Sequence, residues 1–390
     1  MVSTLATCPP GCWPFDGVEG ACSDAIGIGG VGGASQAEDG VRLCRVTGTL
    51  LLRCEERASE RRTPITPKGA AELHRAGIAV VIESSPVRVY ADEQYAELGL
   101  PIVPAGSWVT ADPDVVVVGI KELPDDPEEL RHRHIYFAHA YKGQHGADEL
   151  LQRFAAGGGQ LLDLEYLVDD NGRRVVAFGY WAGFVGASLA ALQLAGDLRA
   201  PLQPMTLEGL TTQLERAAHH LAGASCVVTG AYGRAGRGAT DALRLAGVGV
   251  SRWDRDDTST LDSDALVAHD ALVHCVHADQ PMRPFLTEAD RDREGRRLRV
   301  LADVTADVTS DLNLLPVSDR HTTWPEPVRR IWSDAVPLDA IVIDNLPSLL
   351  PLQASEDFSR ALVPLLPGLF SDGPVWTRAA ARYAEAITSV

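Results

Sequence analysis

The segment Ser225-Cys-Val-Val-Thr-Gly-Ala-Tyr-Gly-Arg-Ala-Gly236 decides the fold. Its apolar start predicts a buried strand, and a G-x-x-G-x-x-G pattern follows at once, with its glycines at Gly230, Gly233 and Gly236. A helical pattern then runs to Leu245, and a second predicted strand over residues 248–253 leads into Asp254. Strand, glycine turn, helix and strand in this order indicate a Rossmann βαβ unit.

This turn predicts a dinucleotide site, because glycines let the backbone approach a pyrophosphate and the helix N-terminus stabilises its negative charge. Asp254 is placed to accept hydrogen bonds from the adenosine ribose and to repel a 2′-phosphate, which favours NAD over NADP. Arg252 and Arg255 flank Asp254 and weaken that preference. The alternative interpretation is a glycine turn that closes an ordinary βα unit.

The first half of the chain alternates strand and helix patterns. Continuous apolar runs such as residues 115–119 are typical of strands buried on both faces of a parallel sheet. Thr66 and Pro67 have the residue types of an N-cap and a first helical position, so a helix is expected to begin there. Strands are predicted over residues 48–54, 78–83, 115–119, 134–139 and 160–167, with a further helix over 147–155.

These patterns predict two Rossmann-like α/β domains with parallel sheets, separated by an active-site cleft. Helical residues 182–222 carry the chain into the second domain, whose later strands are predicted at 272–276, 298–304 and 341–344. The closing helices are expected to return to the first domain. The predicted division is a disordered extension over 1–46, a catalytic domain over 47–181 and 347–390, and an NAD-binding domain over 182–346.

Composition excludes several classes of protein. The net charge of −18 argues against a nucleic-acid partner, because phosphate binding needs a basic surface. No apolar run reaches the roughly 18–20 residues of a membrane span. Four of the seven cysteines lie within residues 1–46 at spacings that match no standard zinc framework, and we predict no metal. Without the basic start and apolar core of a signal peptide, a cytoplasmic enzyme with reduced thiols is expected.

Lysine is scarce: of the 35 basic residues 32 are arginine and three are lysine, namely Lys68, Lys121 and Lys142. Arginine stays charged, whereas burial or a neighbouring cation lowers the pKa of a lysine amine and suits it to proton chemistry. Lys121 follows the apolar run 115–120, and His139 ends the next predicted strand, with Lys142 three residues later. These groups should meet at the edge where open α/β sheets bind ligands. Taken singly, His139 is more typical of a buried core histidine.

Further charged residues extend this candidate site. Glu122 and Glu165 lie near the same strand ends and are placed to shift the pKa values of the basic groups. Arg62 precedes the first helix and is placed to bind a carboxylate through two guanidinium nitrogens at once. Arg173 and Arg174 stand in an Asp-Asp-Asn-Gly turn, where a solvated charge and a ligand contact are equally open.

A series of motifs in a fixed order carries a resemblance to a known family. The motifs are Arg62-Thr-Pro-Ile-Thr-Pro67, Val103-Pro-Ala-Gly-Ser-Trp108, Gly119-Ile-Lys-Glu-Leu-Pro124, Phe137-Ala-His-Ala-Tyr-Lys142, Asp163-Leu-Glu-Tyr-Leu167, Gly172-Arg-Arg-Val-Val-Ala-Phe-Gly179, Asp303-Val-Thr-Ala-Asp307 and Ile343-Asp-Asn-Leu-Pro-Ser-Leu-Leu-Pro351. Over about residues 48–386 the chain resembles the NAD-dependent, lysine-forming saccharopine dehydrogenases of the alanine dehydrogenase superfamily.

The resemblance implies a reaction in which saccharopine, NAD and water give L-lysine, 2-oxoglutarate and NADH, within lysine biosynthesis. It implies that Lys121 is the base for the secondary amine and that His139 moves protons while water cleaves the imine. Implied substrate contacts are Arg62, Gln144, Arg174, Phe178, Thr305, Ala306 and Asp307, and supporting groups are Glu60, Glu122, Lys142 and Glu165. Expected NAD contacts are Arg173, Gly230, Gly233, Arg234, Gly236, Asp254, Thr258, His277, Val304, Ile343, Asp344, Asn345 and Leu346.

Three positions depart from the family pattern. Asn345 stands where a histidine is expected by the nicotinamide, Leu352 replaces an arginine, and His277 replaces an aromatic side chain at the cofactor. These departures leave the amino-acid partner and the direction of flux open. The alternatives are an opine-type dehydrogenase for another amino-acid adduct of 2-oxoglutarate, and an NAD-binding module without turnover. We expect small-molecule substrates and a monomer or small homo-oligomer.

Overall fold

The computed structural model describes residues 48–141, 146–278, 280–308 and 310–388. The chain forms two six-stranded sheets, which confirms the predicted α/β class with two Rossmann-like halves. The predicted disordered extension over residues 1–46 lies outside the described residues.

All neighbouring strands of the first sheet are parallel, in the order β3-β2-β1-β4-β5-β6. The central strands are apolar because both faces are covered; Val117 in β4, for example, is 1% exposed. Strand order reverses between β1 and β4, which makes their carboxyl ends the switch point of the sheet. The strands are β1 Gly48–Leu52, β2 Ile78–Glu83, β3 Ile102–Val103, β4 Val116–Val118, β5 Arg133–Tyr136 and β6 Gln160–Asp163.

The second sheet departs from the predicted all-parallel arrangement at one edge. Its order is β11-β12-β10-β9-β7-β8, and β11 runs antiparallel to β12. Five residues join β11 to β12, which is too few for the crossover that parallel strands need. The strands are β7 Ser225–Thr229, β8 Gly249–Trp253, β9 Ala271–His274, β10 Val300–Asp303, β11 Arg329–Trp332 and β12 Leu338–Ile341.

Ten α-helices connect or cover these strands in the described part of the chain. Thr66 caps the first of them by accepting the Gly69 N–H at 3.2 Å, with Pro67 in the first turn, as predicted. None of these helices is both long and apolar enough to cross a membrane. The helices are α1 Pro67–Arg75, α2 Asp92–Ala96, α3 Ala147–Gly157, α4 Gly179–Ala195, α5 Leu207–Ala217, α6 Arg234–Leu245, α7 Arg255–Ser259, α8 Ser263–Val267, α9 Pro351–Leu362 and α10 Pro374–Ile387.

Helix α4 crosses from the first sheet to the second and packs backbone to backbone on α6. A Cβ atom at Gly183 would lie 1.8 Å from the Ala235 carbonyl oxygen, and one at Gly238 would lie 2.0 Å from the Tyr180 carbonyl oxygen. Because only glycine fits at either position, the two helices touch without side chains between them. This crossing fixes the start of α6 relative to α4.

The closing helices return to the first sheet. Phe358 and Leu362 of α9 pack in the same buried cluster as Leu50 and Val118 of β1 and β4. A hydrogen bond of 2.7 Å from Trp181 Nε1 to Asp357 Oδ2 links α4 to α9. The predicted boundary between residues 181 and 182 falls in the first turn of α4.

Two strands of the first sheet end at least three residues earlier than predicted. β5 ends at Tyr136, so His139 stands in the loop after the strand rather than at its last position. β6 ends at Asp163 and passes into a 3₁₀ turn over Leu164–Tyr166. In this turn Asp163 accepts the Glu165 N–H at 2.9 Å, and such a local bond competes with strand pairing.

A buried histidine should make folding sensitive to acid. His134 of β5 is packed edge-on against Trp108 and Phe154, and neither of its ring nitrogens has a partner among the described residues. Burial, and then the nearby His132, hold the pKa of His134 well below its ordinary value of 6.5. The folded state therefore binds fewer protons than the unfolded state below about pH 6.5, and stability falls as the pH drops through that region.

The variant His134→Phe keeps an aromatic ring in this position but has no group that binds a proton. We expect its Tm to fall less than that of the parent between about pH 7 and about pH 5, the range in which an unfolded histidine becomes charged. Thermal unfolding at each pH by circular dichroism measures the difference. Equal losses of Tm in the two proteins would contradict the role given to His134.

Candidate active site

The carboxyl ends of the two sheets face one cleft of about 420 Å³. The first sheet contributes segments that follow β1, β4 and β5, and the second contributes the start of α6 and the segment after β12. Ligands of open α/β sheets bind at such ends. The predicted site residues that line the cleft are Arg62, Lys121, His139, Arg174, Phe178, Arg234 and Asp344.

A larger hollow of about 550 Å³ lies at the opposite edge of the first sheet. Gly48 at the start of β1, Arg133 at the start of β5 and Phe370 line it, together with residues before β4. None of the predicted site residues lines this hollow, and it lies at the amino ends of the strands. Its size therefore carries no functional argument.

Lys121 stands three residues beyond β4 in a setting that favours loss of its proton. Burial lowers the pKa of Lys121, and the positive charge of Arg62 lowers it further, while Asp344 acts in the opposite direction. The sequence predicted a lowered pKa through a second lysine, Lys142. Lys142 lies outside the described residues, so that prediction is not tested. Among the described residues the main cationic neighbour is Arg62, which stays charged at every relevant pH.

His139 is held by two carboxylates from the end of β6. Its backbone N–H donates to Asp163 Oδ2 at 3.0 Å, and its ring Nδ1 lies 2.9 Å from Glu165 Oε2. The φ angle of His139 is +53°, a left-handed conformation that costs a non-glycine residue about 1–2 kcal/mol. With Nδ1–H donated to Glu165, Nε2 is the nitrogen that is left to exchange protons.

Arg62 binds a carboxylate with two nitrogens, as predicted for its residue type, but the carboxylate belongs to the protein. Its Nε and Nη2 donate to Glu60 at 2.8 and 2.6 Å, and its guanidinium lies 4.2 Å from the centre of the Phe178 ring. Ser348 donates to the same carboxylate at 3.3 Å. Glu60, two residues away, therefore occupies Nε and Nη2, and the contact of Arg62 with a substrate carboxylate stays a prediction.

Burial alone would raise the pKa of Glu60, but the charge and hydrogen bonds of Arg62 outweigh it and hold that pKa below its ordinary value. The pair is therefore charged on both sides. It keeps Arg62 in one place at the wall of the cleft. Nη1 donates to no described residue, so it is the nitrogen left for a ligand.

Arg57 joins the two sheets across the cleft, and the sequence did not point to it. Its Nε donates to Glu122 after β4, and its Nη1 lies 3.3 Å from Asp344 Oδ2 after β12. The Arg57 and Asp344 positions are 287 residues apart in the chain. The only sequence signal for Arg57 was the run of charged residues after β1, and the side chains of such runs usually lie in solvent.

Two exposed arginines precede α4. Arg173 donates its backbone N–H to Asp169 at 2.9 Å within the turn, and Arg174 lines the cleft. Arg234, the first residue of α6, donates from Nη2 to the Arg174 carbonyl oxygen at 2.5 Å. This bond connects the turn in the first half to the helix that follows the glycine turn in the second half.

The three glycines of the motif have different local surroundings. Gly230 directly follows β7 and has a φ of +64°, and a Cβ atom at Gly236 would lie 2.3 Å from the Gly230 carbonyl oxygen. At Gly233, the N-cap of α6, a Cβ atom would meet only that carbonyl oxygen, at 3.3 Å. Gly230 and Gly236 thus serve the turn itself, whereas the space beside Gly233 is open.

The other predicted cofactor residues lie along the carboxyl edge of the second sheet. Asp254 follows β8 and caps α7 by accepting the Asp256 N–H at 2.9 Å, and the buried Thr258 donates its hydroxyl to the Asp254 carbonyl oxygen at 2.7 Å. One Asp254 oxygen is therefore occupied by the cap. Val304 follows β10, and the segment after β12 contains Ile343, Asp344, Asn345 and Leu346.

Three predicted substrate residues, Thr305, Ala306 and Asp307, do not line the cleft of about 420 Å³. They form the turn after β10, in which Asp303 Oδ1 accepts the Thr305 N–H at 3.0 Å and Ala306 has a φ of +51°. Asp307 lies 3.7 Å from Nδ1 of His277, so these two form an ion pair when the histidine is protonated. This turn therefore lies at the carboxyl edge of the second sheet, and it does not line the cleft with Lys121 and His139.

Two predicted residues, Lys142 and Gln144, lie outside the described residues. Among the residues that are described, no group of three or more His, Cys, Asp or Glu side chains is arranged to hold a metal ion.

The fold and the cleft define a class of two-domain α/β dehydrogenases. The family model described as "Alanine dehydrogenase/PNT, N-terminal domain" matches residues 51–185. A solved structure of an L-alanine dehydrogenase superposes with a TM-score of 0.61 at 15% identity, covering 86% of this chain and 94% of that one. At that identity the likeness establishes the fold alone.

Curated relatives identify the family. Saccharopine dehydrogenase [NAD(+), L-lysine-forming] of Yarrowia lipolytica is 39% identical, over 87% of this chain and 98% of the relative. The protein of the same name from Schizosaccharomyces pombe is 38% identical, over 86% of this chain and 97% of the relative. The chain belongs to the NAD-dependent, lysine-forming saccharopine dehydrogenase family, which confirms the resemblance carried by the motifs.

The glycine turn gives a matched pair of variants. In Gly233→Ala the added methyl group has one protein contact, with the Gly230 carbonyl oxygen at 3.3 Å, so we expect a small loss of Tm and a weaker affinity for NAD, because the backbone approaches a pyrophosphate less closely. In Gly236→Ala it meets backbone, and we expect a loss of about 1–3 kcal/mol of stability. Calorimetric titration with NAD and thermal unfolding measure the two effects. An unchanged NAD affinity in Gly233→Ala would place the dinucleotide elsewhere.

Proposed function

We propose that the protein catalyses the reversible, NAD-dependent cleavage of saccharopine to L-lysine and 2-oxoglutarate. The observation that carries the proposal is the meeting of Lys121 and His139 in one cleft that also contains the start of α6. Relatives named for this reaction match the chain over 97–98% of their own length. No observation favours an adduct of another amino acid or a module without turnover.

The second half of the chain fits the dinucleotide. The open space beside Gly233 admits a pyrophosphate, and the free N–H groups of α6, a helix of 12 residues, are suited to its negative charge. We assign Asp254 and Thr258 to the adenosine end and Asp344 through Leu346 to the nicotinamide end. When bound there, NAD accepts the hydride that leaves the glutamate-derived carbon of saccharopine.

We assign to Lys121 the role of accepting the proton that the secondary amine of saccharopine loses. Loss of hydride leaves an imine only if the secondary amine also gives up its proton, and the Lys121 Nζ accepts it. A neutral amine is needed for this step. The burial of Lys121 and the adjacent charge of Arg62 favour that form by lowering the pKa of the amine.

We assign to His139 the proton transfers that accompany hydrolysis of the imine. Water adds to the imine carbon, and one of its protons passes to the nitrogen to give a carbinolamine. The hydroxyl group then gives up its proton, the nitrogen gains a second one, and the carbon–nitrogen bond breaks to give lysine and the 2-oxo acid. His139 Nε2 both accepts and returns protons in this sequence, with Nδ1 held by Glu165 2.9 Å away. Glu122 and Glu60 support the site by fixing Arg57 and Arg62.

The substrate's three carboxylates explain the positive charge of the cleft. Arg174 and the free Nη1 of Arg62 are assigned to substrate carboxylates, and Phe178 packs beneath the Arg62 guanidinium. Arg173 and Arg234 are assigned to the cofactor phosphates. Gln144, Thr305, Ala306 and Asp307 are kept as proposed substrate contacts, with Lys142 as a supporting group and Val304, Ile343 and His277 as cofactor contacts.

We place the enzyme in lysine metabolism in the cytoplasm, as a monomer or a small homo-oligomer. The free thiols of Cys54, Cys226 and Cys275 agree with a reducing compartment. Its partners are small molecules, and the net charge of −18 disfavours nucleic acid.

The substrate is tested by the amine profile of the reverse reaction. NADH oxidation is followed with 2-oxoglutarate and lysine, ornithine, alanine or glycine. We expect lysine to give the highest kcat/KM and a product with the mass of saccharopine. Clear turnover with another amine but none with lysine would replace saccharopine by a different adduct, and no turnover with any amine would favour the binding module.

The proton-acceptor role of Lys121 is tested by Lys121→Arg and Lys121→Met. A guanidinium keeps a positive charge but accepts no proton, so we expect kcat to fall by about 10²-fold or more in both variants. Lys68→Arg is the matched control, because Lys68 is exposed in α1 and does not line the cleft. Turnover of Lys121→Arg at the rate of the control would refute the role.

A further inference from the structure

One buried ion pair, formed by Arg53 and Glu55 directly after β1, holds both sides of the Lys121 backbone. Glu55 Oε1 accepts the Ile120 N–H at 2.7 Å, and Oε2 accepts the Lys121 N–H at 3.0 Å. Both oxygens of the carboxylate are therefore committed to two consecutive peptide groups of the loop after β4. The sequence had not connected Arg53 or Glu55 with the candidate site.

Arg53 holds the other side of the same residue. Its Nη2 donates to the Lys121 carbonyl oxygen and, at 3.2 Å, to that of Glu122. The guanidinium lies 3.3 Å from Glu55, and the two side chains are only 1% and 6% exposed. A salt bridge this deeply buried contributes little net stability by itself, so its placement calls for another explanation.

Gly119 makes room for this arrangement. A Cβ atom at Gly119 would lie 2.4 Å from Arg53 Nε, so any other residue there would displace the guanidinium. The strand β4, the glycine, the lysine and the ion pair thus fit together at the point where strand order reverses between β1 and β4. This is the point at which a ligand of the sheet is expected.

We propose that Arg53 and Glu55 are positioning residues that fix the Lys121 peptide, so that its amine stays buried beside Arg62. The inference rests on the proposed role of Lys121 as the proton acceptor. A lysine side chain has four rotatable carbon–carbon bonds, and the place of its nitrogen is defined only if its Cα atom is fixed. A displacement of about 1 Å at a catalytic group lowers a rate by about 10²-fold.

The pair also links the protonation of Lys121 to the shape of the loop. The lowered pKa of Lys121 depends on burial and on the distance to Arg62. Loosening the loop admits water and moves the amine away from that charge, so the pKa of Lys121 should rise towards its ordinary value. A residue that contributed only to stability would leave this pKa unchanged.

The test compares Glu55→Gln with the parent and with Asp270→Asn. An amide has one acceptor where the carboxylate has two, so one N–H of the loop loses its partner. Asp270 is a matched control at the amino edge of the second sheet: it is buried, accepts the Ser225 N–H at 2.9 Å and pairs with Arg297 at 2.6 Å. It has no contact with the cleft.

The readout is the pH dependence of chemical modification of Lys121 by trinitrobenzenesulfonate, measured by mass spectrometry of peptides. The chain has three lysines, so Lys121 is resolved from Lys68 and Lys142 in one digest. We expect the modification midpoint of Lys121 to move to higher pH in Glu55→Gln and to stay at the parent value in Asp270→Asn. We also expect kcat/KM for saccharopine to fall by about 10- to 100-fold in Glu55→Gln alone.

An unchanged midpoint in folded Glu55→Gln, with a fall in kcat/KM no larger than in Asp270→Asn, would overturn the proposal. If Glu55→Gln does not fold, Arg53→Lys takes its place, because it keeps the charge pair but loses the planar group that reaches two carbonyl oxygens. The modification experiment needs no substrate. A parent protein inactive on saccharopine, with a midpoint that still moves in Glu55→Gln, would therefore remove the proposed reaction and leave the positioning role standing.

Discussion

Buried carboxylates that accept backbone N–H groups hold the carboxyl edge of the first sheet in place, and the candidate site depends on them. Glu83 at the end of β2 holds the loop after β1, Glu55 in that loop holds the loop after β4, and Asp163 at the end of β6 holds the loop after β5. Each carboxylate thus fixes the loop that follows a neighbouring strand. A buried N–H group without a partner costs about 1–3 kcal/mol, so each of these loops has one strongly favoured position. Lys121 and His139 stand on two of them.

The strand and helix patterns could be predicted because they depend on residues close together in the chain. The glycine turn, the apolar run before Lys121 and the cap at Thr66 all have local causes, and the structure has each of them in place. The partners of the charged side chains could not be predicted, because they are chosen by the fold. Arg62 pairs with a glutamate two residues away, whereas Arg57 pairs with an aspartate 287 residues away. Nothing in either local sequence indicates which kind of partner the arginine will have.

The two halves of the molecule divide the proposed chemistry. The first sheet provides groups that exchange protons, and the second provides a turn and a helix start that suit a dinucleotide. Their separation has an electrostatic consequence: the cleft is lined by arginines in a chain whose net charge is −18. A substrate with several carboxylates is therefore drawn towards the cleft and repelled by much of the remaining surface.

The backbone contact between α4 and α6 has a mechanical consequence. Side chains between packed helices can change rotamer and let the helices slide, but here Gly183 and Gly238 leave no side chain to yield. Helix α6 must then move together with α4 and with the second sheet as one rigid body. Any widening of the cleft is confined to the two connections between the sheets, before Gly179 and around Leu346–Leu349.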